Sequence, residues 1–451
     1  MSTSSEPGRD LLLTGWGRTA PSRASVVKPE SRDAVAAALA DPGERGVLAR
    51  GLGRSYGDAA QNAGGRVLAM AGLDAVHSLD AEAATVTVDA GVSFATLSRL
   101  LPSRGLFVPV TPGTAHVTVG GAIAADIHGK NHHRDGSFCN HVVSFELLTP
   151  AGDRLTVEPC DDLFHATAGG MGLTGVVLSA TVRLLRVESA CMSVDRERAG
   201  DLDDVMARMT ARDDQYRYSV AWIDCLARGK TLGRSVLIRG DHARAEQVAG
   251  GGPPAFGASH LSAPPWMPPG LLRRSTVRAF NEAYYRAAPR HETGRLEPLP
   301  SFFYPLDAVR NWNRIYGPSG FLQYQLVVPD GREDVLRMSL ERLSRAGCPS
   351  LLAVFKRFGP QRTGMMSFPL KGWTLTLDVP AAVPGLGGLL DGLDELVAEA
   401  GGRVYLAKDS RLGPDALAAM YPRLREWRAA REQVDPRGVM RSDLARRVGL
   451  T

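Results

Sequence analysis

The spacing of apolar and polar positions predicts a chain of short, mixed elements. Ser31 to Leu39 (SRDAVAAAL) places apolar residues at helical spacing behind a serine suited to accept from free N–H groups, which predicts a helix capped by Ser31. Gly46 to Arg50 reads as a short buried strand. Thr85 to Gly91 (TVTVDAG) alternates with a period of two, as a half-buried strand does, and Ser93 to Leu101 (SFATLSRLL) predicts a second capped helix. Phe145 to Val157 (FELLTPAGDRLTV) reads as a hairpin turning at Pro150 to Asp153. GGMGLTGVVLSATVRLL ends this region near Leu185 with a long apolar strand.

Beyond Arg186 the glycine turns give way to longer elements. Gly251 to Gly270 carries six prolines and predicts a long mobile loop. Leu271 to Arg290 is basic with interleaved aromatics. From Leu322 strands return in LQYQLVVP, LLAVFKRF and WTLTLDVP, followed by a helix near Leu389 to Ala400. Small helices and short strands without regular βαβ alternation predict an α+β fold, and no internal repeat is visible.

Composition narrows the class. A chain of 451 residues exceeds one ordinary core, so two domains are expected, and 44% hydrophobic with 22% charged residues is the balance of a soluble globular protein. The net charge of +5 suits an anionic ligand or surface better than a nucleic-acid track. Cys139, Cys160, Cys191, Cys225 and Cys348 are scattered and free of CxxC spacing, which argues against a disulfide framework or zinc ribbon and fits a reducing compartment. The N-terminal stretch lacks the form of a signal peptide, and no apolar run approaches the roughly 18 residues of a membrane span. A cytoplasmic location, or a peripheral one at the inner face of the cell membrane, is expected.

The candidate chemistry begins at ARGLGRSYGDAAQ, Ala49 to Gln61, which packs Gly51, Gly53 and Gly57 around Arg54 and Tyr56. It lacks the Lys-Ser/Thr ending of a phosphate loop and the GxGxxG of a Rossmann site. What remains is a set of close backbone approaches with N–H groups free to donate, suited to a pyrophosphate held in a nest. A second glycine-rich run, Thr111 to His133, and a third, GGMGLTG, make two coincidental tight turns a poor explanation. His128, His132, His133 and His141 invite a metal hypothesis, but Gly129 and Asn131 disfavour a helix presenting His128 and His132 together, and no metal is expected. His128 is read as a satisfied or flavin-contacting histidine and the other three as polar loop residues.

Arg50–Asp58, Val119–His128 and Gly169–Val177 resemble the three flavin-contacting segments of the vanillyl-alcohol-oxidase-type (PCMH) FAD domain. More narrowly, LTGWGRTAPS, ARGLGRSYGD, TVGGAIAADIHGKNHH, GSFCNHV, WNRIYGPSGFLQYQ, VFKRFGP and AKDSR are similar to the decaprenylphosphoryl-ribose oxidase family, from about Leu13 onward. The likeness is weakest over Glu188 to Tyr216 and Gly240 to Pro300. It implies a two-domain α+β fold: a PCMH-type FAD domain over 1–187, a substrate domain on an antiparallel sheet over 188–400 with a mobile insert near 250–300, and a segment 401–451 that completes the active site and packs back on the FAD domain.

The resemblance implies FAD as cofactor, with contacts from Ala49, Arg50, Gly51, Leu52, Gly53, Arg54, Ser55, Tyr56, Gly57, Asp58 and Ala59. Further contacts are implied at Gly113, at Thr118, Val119, Gly120 and Gly121, and at Ala125, Asp126, Ile127 and His128. Val177 would meet the cofactor through its backbone and Tyr405 would lie at the flavin edge. Relatives that bind FAD covalently carry a histidine in a GxGHS pattern. Arg54 stands in its place, so FAD is expected to be dissociable, with His128 the nearby candidate for an exception.

The implied reaction is oxidation of the 2-hydroxyl of a polyprenylphosphoryl ribose to the 2-keto sugar, after which a short-chain reductase completes epimerisation to an arabinose donor for cell-wall synthesis. Lys408 is the implied catalytic residue, as positive charge and proton acceptor. Tyr56, Gln323, Gln325 and Lys356 are implied at the ribose and phosphate, with Trp222 and Tyr304 lining the pocket. Alternation in LQYQLVV places Gln323 and Gln325 on one strand face and Tyr324 on the other. Thr376 and Thr374 stand where the family shows a cysteine and an asparagine, which leaves specificity open. Arg273, Arg274, Arg278 and Arg286, with Trp266, Phe280, Tyr284 and Tyr285, are candidates for reversible contact with a membrane surface. Oxidation of another sugar or alditol, and flavin binding without catalysis, are the competing readings.

Overall fold

The computed structural model describes residues 8–249, 261–264, 266 and 270–451. The mobile loop expected over Gly251 to Gly270 falls largely outside the described residues.

Two small sheets carry the glycine loops. The first has four strands in the order Arg9–Leu13, Ser22–Val27, Arg66–Ala69, Val47–Arg50, the last three mutually parallel. Its helix Arg32–Ala40 is capped by the Ser31 hydroxyl, which accepts from Ala34 N at 3.1 Å. The second sheet is antiparallel, in the order Val76–Asp80, Thr85–Asp89, Val176–Arg183, Val142–Leu148, Arg154–Val157. Helices Phe94–Leu100 and Val119–Ala124 bury Phe94, Leu97, Ala122 and Ile123 in the same core as this sheet.

An eight-stranded antiparallel sheet makes the other half. Its order is His291–Pro298, Cys191–Ala199, Ser235–His242, Tyr218–Ile223, Ala353–Phe358, Gly372–Pro380, Phe321–Pro329, Arg403–Val404. Side chains alternate between faces. One face sends Tyr324, Leu326, Leu375, Leu377, Phe355 and Leu237 into a core shared with Leu340 and Leu343 of helix Glu333–Ala346 and with Leu390 and Leu393 of helix Leu386–Glu399. Cross-strand partnership then assigns the opposite face: Gln323 lies opposite Asp378, Gln325 opposite Thr376, Thr376 opposite Val354, Thr374 opposite Lys356, and Val354 opposite Trp222. A one-residue slip would exchange these two sets, so the apolar face specifies the polar one.

The stretch expected only to be basic and aromatic forms helix Arg274–Ala287, followed by the edge strand His291–Pro298. The C-terminal helices return to the side of the glycine loops. Trp427 is fully buried and donates from Nε1 to Ala166 O at 2.9 Å, Met440 bridges Val47, and Asp443 N donates to Gln61 O at 2.8 Å.

Candidate active site

The glycine loops and the polar face of the large sheet enclose a cavity of about 430 Å³. On the loop side, Gly53 adopts φ 63°, the left-handed region that a side chain disfavours. A Cβ at Gly57 would collide with the carbonyl oxygen of Asp409, so that glycine lets the loop close onto the segment bearing Lys408. The N–H groups of Leu52, Gly53, Arg54 and Ser55 donate to no other group among the described residues, and they lie in the cavity wall. Arg50 is committed to the carbonyls of Thr14 and Ala60 (2.9 and 2.5 Å). Arg54 is free for a ligand: its guanidinium lies 3.9 Å from the Trp16 ring and its buried Nε has no partner among the described residues.

Three lysines enter the cavity from different segments: Lys130 within the second glycine-rich run, Lys356 from the strand Ala353–Phe358, and Lys408 after Tyr405. Burial lowers Lys356 to about 8 and, with the charge of Lys356 added, lowers Lys130 to about 7. Lys408 is brought to about 7 by burial first and Lys356 second, against the opposing pull of Asp378. Asp378 is fully buried, accepts from Gln323 Nε2 and from the Tyr316 hydroxyl at 3.3 Å, and is held by burial well above the ordinary carboxylate range.

A linked set of polar groups stands behind the wall. The Thr374 hydroxyl donates to Leu326 O at 2.8 Å, and Gln325 Nε2 lies 3.0 Å from both Thr374 Oγ1 and His128 Nε2. His128 Nδ1, Gln323 Oε1 and Gln325 Oε1 are buried without partners among the described residues. Buried polar atoms are costly to leave unpaired, so these orphans, with the free N–H groups of the glycine loop, fit a polar cofactor and substrate sharing this space.

Comparison with known proteins agrees with this geometry. Residues 23–158 match the model of the FAD binding domain, and residues 388–448 match that of D-arabinono-1,4-lactone oxidase. The chain is 44% identical to decaprenylphosphoryl-β-D-ribose oxidase of Mycolicibacterium smegmatis over 461 aligned positions, covering 100% of both chains. It belongs to the decaprenylphosphoryl-β-D-ribose oxidase family. A Streptomyces coelicolor protein described as the uncharacterized protein in the mprA 5′ region is 45% identical over 78% of this chain and 99% of its own length. Alditol oxidase from a Streptomyces species is 31% identical over 35% of this chain and 39% of its own. This member of the family is accordingly an FAD-dependent oxidoreductase of α+β, two-domain architecture.

Within this oxidase, the cavity gathers Ala49 through Tyr56, Ala59, Gly113, Thr118, Gly120, Gly121, Ala125, Ile127, His128, Val177 and Tyr405. Trp222, Gln323, Lys356, Thr376 and Lys408 join them from the sheet side. Seven expected contacts lie elsewhere, each for a definable reason. Gly57 is pressed against Asp409, and Asp58 turns outward to Arg447 (2.7 and 2.9 Å). Val119 is fully buried in the core of the second sheet. Asp126 faces away and accepts from Ser137 Oγ (2.8 Å), Cys139 N (3.1 Å), Thr363 Oγ1 (3.3 Å) and Ser367 Oγ, bracing the second loop against residues 363–367. Tyr304 packs among Phe302 and Phe303 and shares its hydroxyl with Thr111 at 2.7 Å, so it supports the wall without forming it. Gln325 and Thr374 form the layer behind His128.

The histidine cluster also separates differently from the expectation. His132 is a buried ring 4.5 Å from Phe358 in the short helix His132–Asp135, and burial brings it down to about 3; it is no polar loop residue. No group of metal-ligating side chains occurs among the described residues. Lys130 and Asp378 were missed, and Tyr284, expected only at a membrane surface, lines the cavity. Asp378 had a usable signal, because the alternation in WTLTLDVP carries Thr374 and Thr376 on to it. Lys130 in GKNHH had none that separates it from a solvated lysine.

Proposed function

We propose that this oxidase converts the 2-hydroxyl of a polyprenylphosphoryl-β-D-ribofuranose to the 2-keto sugar, the first half of an epimerisation that a short-chain reductase completes to an arabinose donor for cell-wall synthesis. The observation that carries the reading is the convergence of Lys408, Lys356 and Lys130 on one cavity beside Gln323. A sugar phosphate needs cationic partners at its phosphate and a proton acceptor at the reacting hydroxyl, and this set provides both.

When bound, FAD supplies the acceptor for the hydride that leaves C2. Lys408, whose neutral form is accessible near pH 7, would take the hydroxyl proton, and the resulting ammonium would supply positive charge within the cavity. Lys356 and Lys130 hold the phosphate. Gln323 Oε1 and the ring of His128 orient the ribose hydroxyls, and Arg54 with the N–H groups of residues 52–55 holds the pyrophosphate of FAD. With arginine at position 54, FAD is held without a covalent bond. Thr376 has no thiol, so compounds that act by bonding to a cysteine at this place form no adduct here.

The basic helix Arg274–Ala287, with Phe280 and Tyr284 exposed, supports peripheral contact with an anionic membrane surface; no described helix is long and apolar enough to cross one. Charge reversal at Arg273, Arg274 and Arg278 is expected to abolish binding to anionic liposomes, and unchanged binding would remove this part.

The deciding experiment is anaerobic mixing of the holoenzyme with polyprenylphosphoryl ribose while flavin absorbance is followed. Bleaching that requires the substrate and disappears in Lys408→Ala supports the reading. The alditol oxidase likeness and the threonines at 374 and 376 favour a second reading, a soluble sugar or alditol as substrate. Bleaching by an alditol, with the lipid-linked sugar inert, would select it.

A further inference from the structure

The cavity wall contributed by the large sheet is graded in polarity. Gln323, Thr376 and Lys356 occupy one end. Cross-strand partnership leads from Thr376 to Val354 and from Val354 to Trp222, and the neighbouring strand brings Val220 opposite Ile238. Over a few strands the surface thus passes from amide, hydroxyl and ammonium groups to aliphatic and aromatic ones.

At the apolar end the wall opens onto rings that continue outward. Tyr284 lines the cavity, lies 4.7 Å from Trp222 between ring centroids, and is still 38% exposed. Phe280, one helical turn earlier, stacks on Tyr284 at 6.0 Å and 21° and is 45% exposed, without itself lining the cavity. Folding gains little from leaving two large rings half in water, side by side, at the mouth of a cavity. Their helix is fastened by other groups: Val277 and Asn281 are buried, with Asn281 Nδ2 donating to Asp224 at 2.7 Å, and Tyr285 lies under the Arg234 guanidinium. The exposed rings are therefore spare for a ligand.

We propose that Trp222, Tyr284 and Phe280 form an exit path for an apolar chain attached to an anionic head bound at the lysines. The occupant is the prenyl chain of the enzyme's own substrate, because the path is continuous with the cavity and the wall is arranged as an amphiphile is, charged at one end and apolar at the other. A long polyprenyl chain exceeds the space the cavity offers and has to leave it somewhere. The assignment rests on the lipid-linked sugar phosphate reading above.

The test compares two probes on the holoenzyme in mixed micelles, geranylphosphoryl ribose and decaprenylphosphoryl ribose, by the concentration dependence of flavin bleaching. Phe280→Ser is expected to raise the KM for the long-chain probe about tenfold, the loss of one apolar ring contact, while the short-chain KM and the limiting bleaching rate stay within about twofold. Phe280→Leu is expected to restore the long-chain KM. Tyr284→Ser touches Trp222 as well, so Phe280, outside the cavity, is the deciding position. Equal effects on both probes, or none on either, would overturn the path. So would unchanged chain-length preference with lost vesicle binding, which would make the rings a membrane anchor. If the wild-type holoenzyme bleaches with neither probe, the substrate reading itself falls and takes the path with it, an outcome distinct from the others because no variant is involved.

Discussion

Gln325 holds His128 in a single tautomer. The Thr374 hydroxyl spends its proton on the carbonyl of Leu326, so its oxygen can only accept, and Gln325 must present its NH2 group there. The second hydrogen of that NH2 meets His128 Nε2, which therefore accepts. Burial and the charges of Lys356 and Lys408 keep this imidazole neutral, so its proton sits on Nδ1 and is available as a donor. Thr374→Val removes the first link and frees the amide to turn. Substrate-dependent flavin bleaching is expected to fall by about tenfold, with Thr374→Ser close to wild type.

As the proposed proton acceptor, Lys408 is expected to set the pH dependence of bleaching. Only the neutral amine accepts a proton, and its lowered value places that form within reach of neutrality. The bleaching rate is expected to rise about tenfold per pH unit below about 7 and to level off above it. Lys408→Met is expected to lower the plateau by at least about a hundredfold and remove the slope, as read by stopped-flow at saturating substrate.

Lys130 ties stability to pH with a definite sign. In the unfolded chain a lysine titrates near 10.5, whereas folded Lys130 titrates at about 7, so between these values the unfolded state binds more protons and stability rises with pH. Below about 7 the burial penalty on the ammonium is present in full. Lys130→Met is expected to be more stable than wild type at pH 7, with the gap narrowing toward pH 10 by at most about 1.4 kcal/mol per pH unit. Urea unfolding of the two proteins across that range measures it.

Asp126 braces the second glycine loop with four accepted hydrogen bonds, at φ 37° where an aspartate is tolerated and most residues are not. Asp126→Ala leaves Ser137 and Cys139 N without their acceptor and is expected to cost about 2–3 kcal/mol in thermal or denaturant unfolding. Asp126→Asn, which keeps one acceptor oxygen, is expected to cost less.

Much of this was legible because strand periodicity survives burial. LQYQLVVP and WTLTLDVP are enclosed on both faces, yet their alternation still separates the cavity side, Gln323 and Thr376, from the core side, Tyr324 and Leu377. Depth was illegible. Gln323 and Gln325 share a face, but only the neighbouring His128 and Thr374 put Gln325 a layer further back. Asp58 and Asp126 looked like cofactor contacts because they sit within cofactor loops. Their partners, Arg447 and Ser367, come from distant segments that local pattern does not connect. The edge strand His291–Pro298 went unread since HETGRLEP is largely solvent-facing and has no apolar alternation to show.

The Arg447 guanidinium joins Asp58 of the first glycine loop to Asp409, the neighbour of Lys408, across 389 and 38 positions of sequence. During synthesis the first loop thus leaves the ribosome long before the residue that steadies it. A nascent chain has every glycine of the cradle and still lacks the clamp until Arg447 emerges. Cofactor loading is therefore expected to wait for the Arg447 segment, and a chain truncated before it is expected to retain flavin less well than the full-length protein.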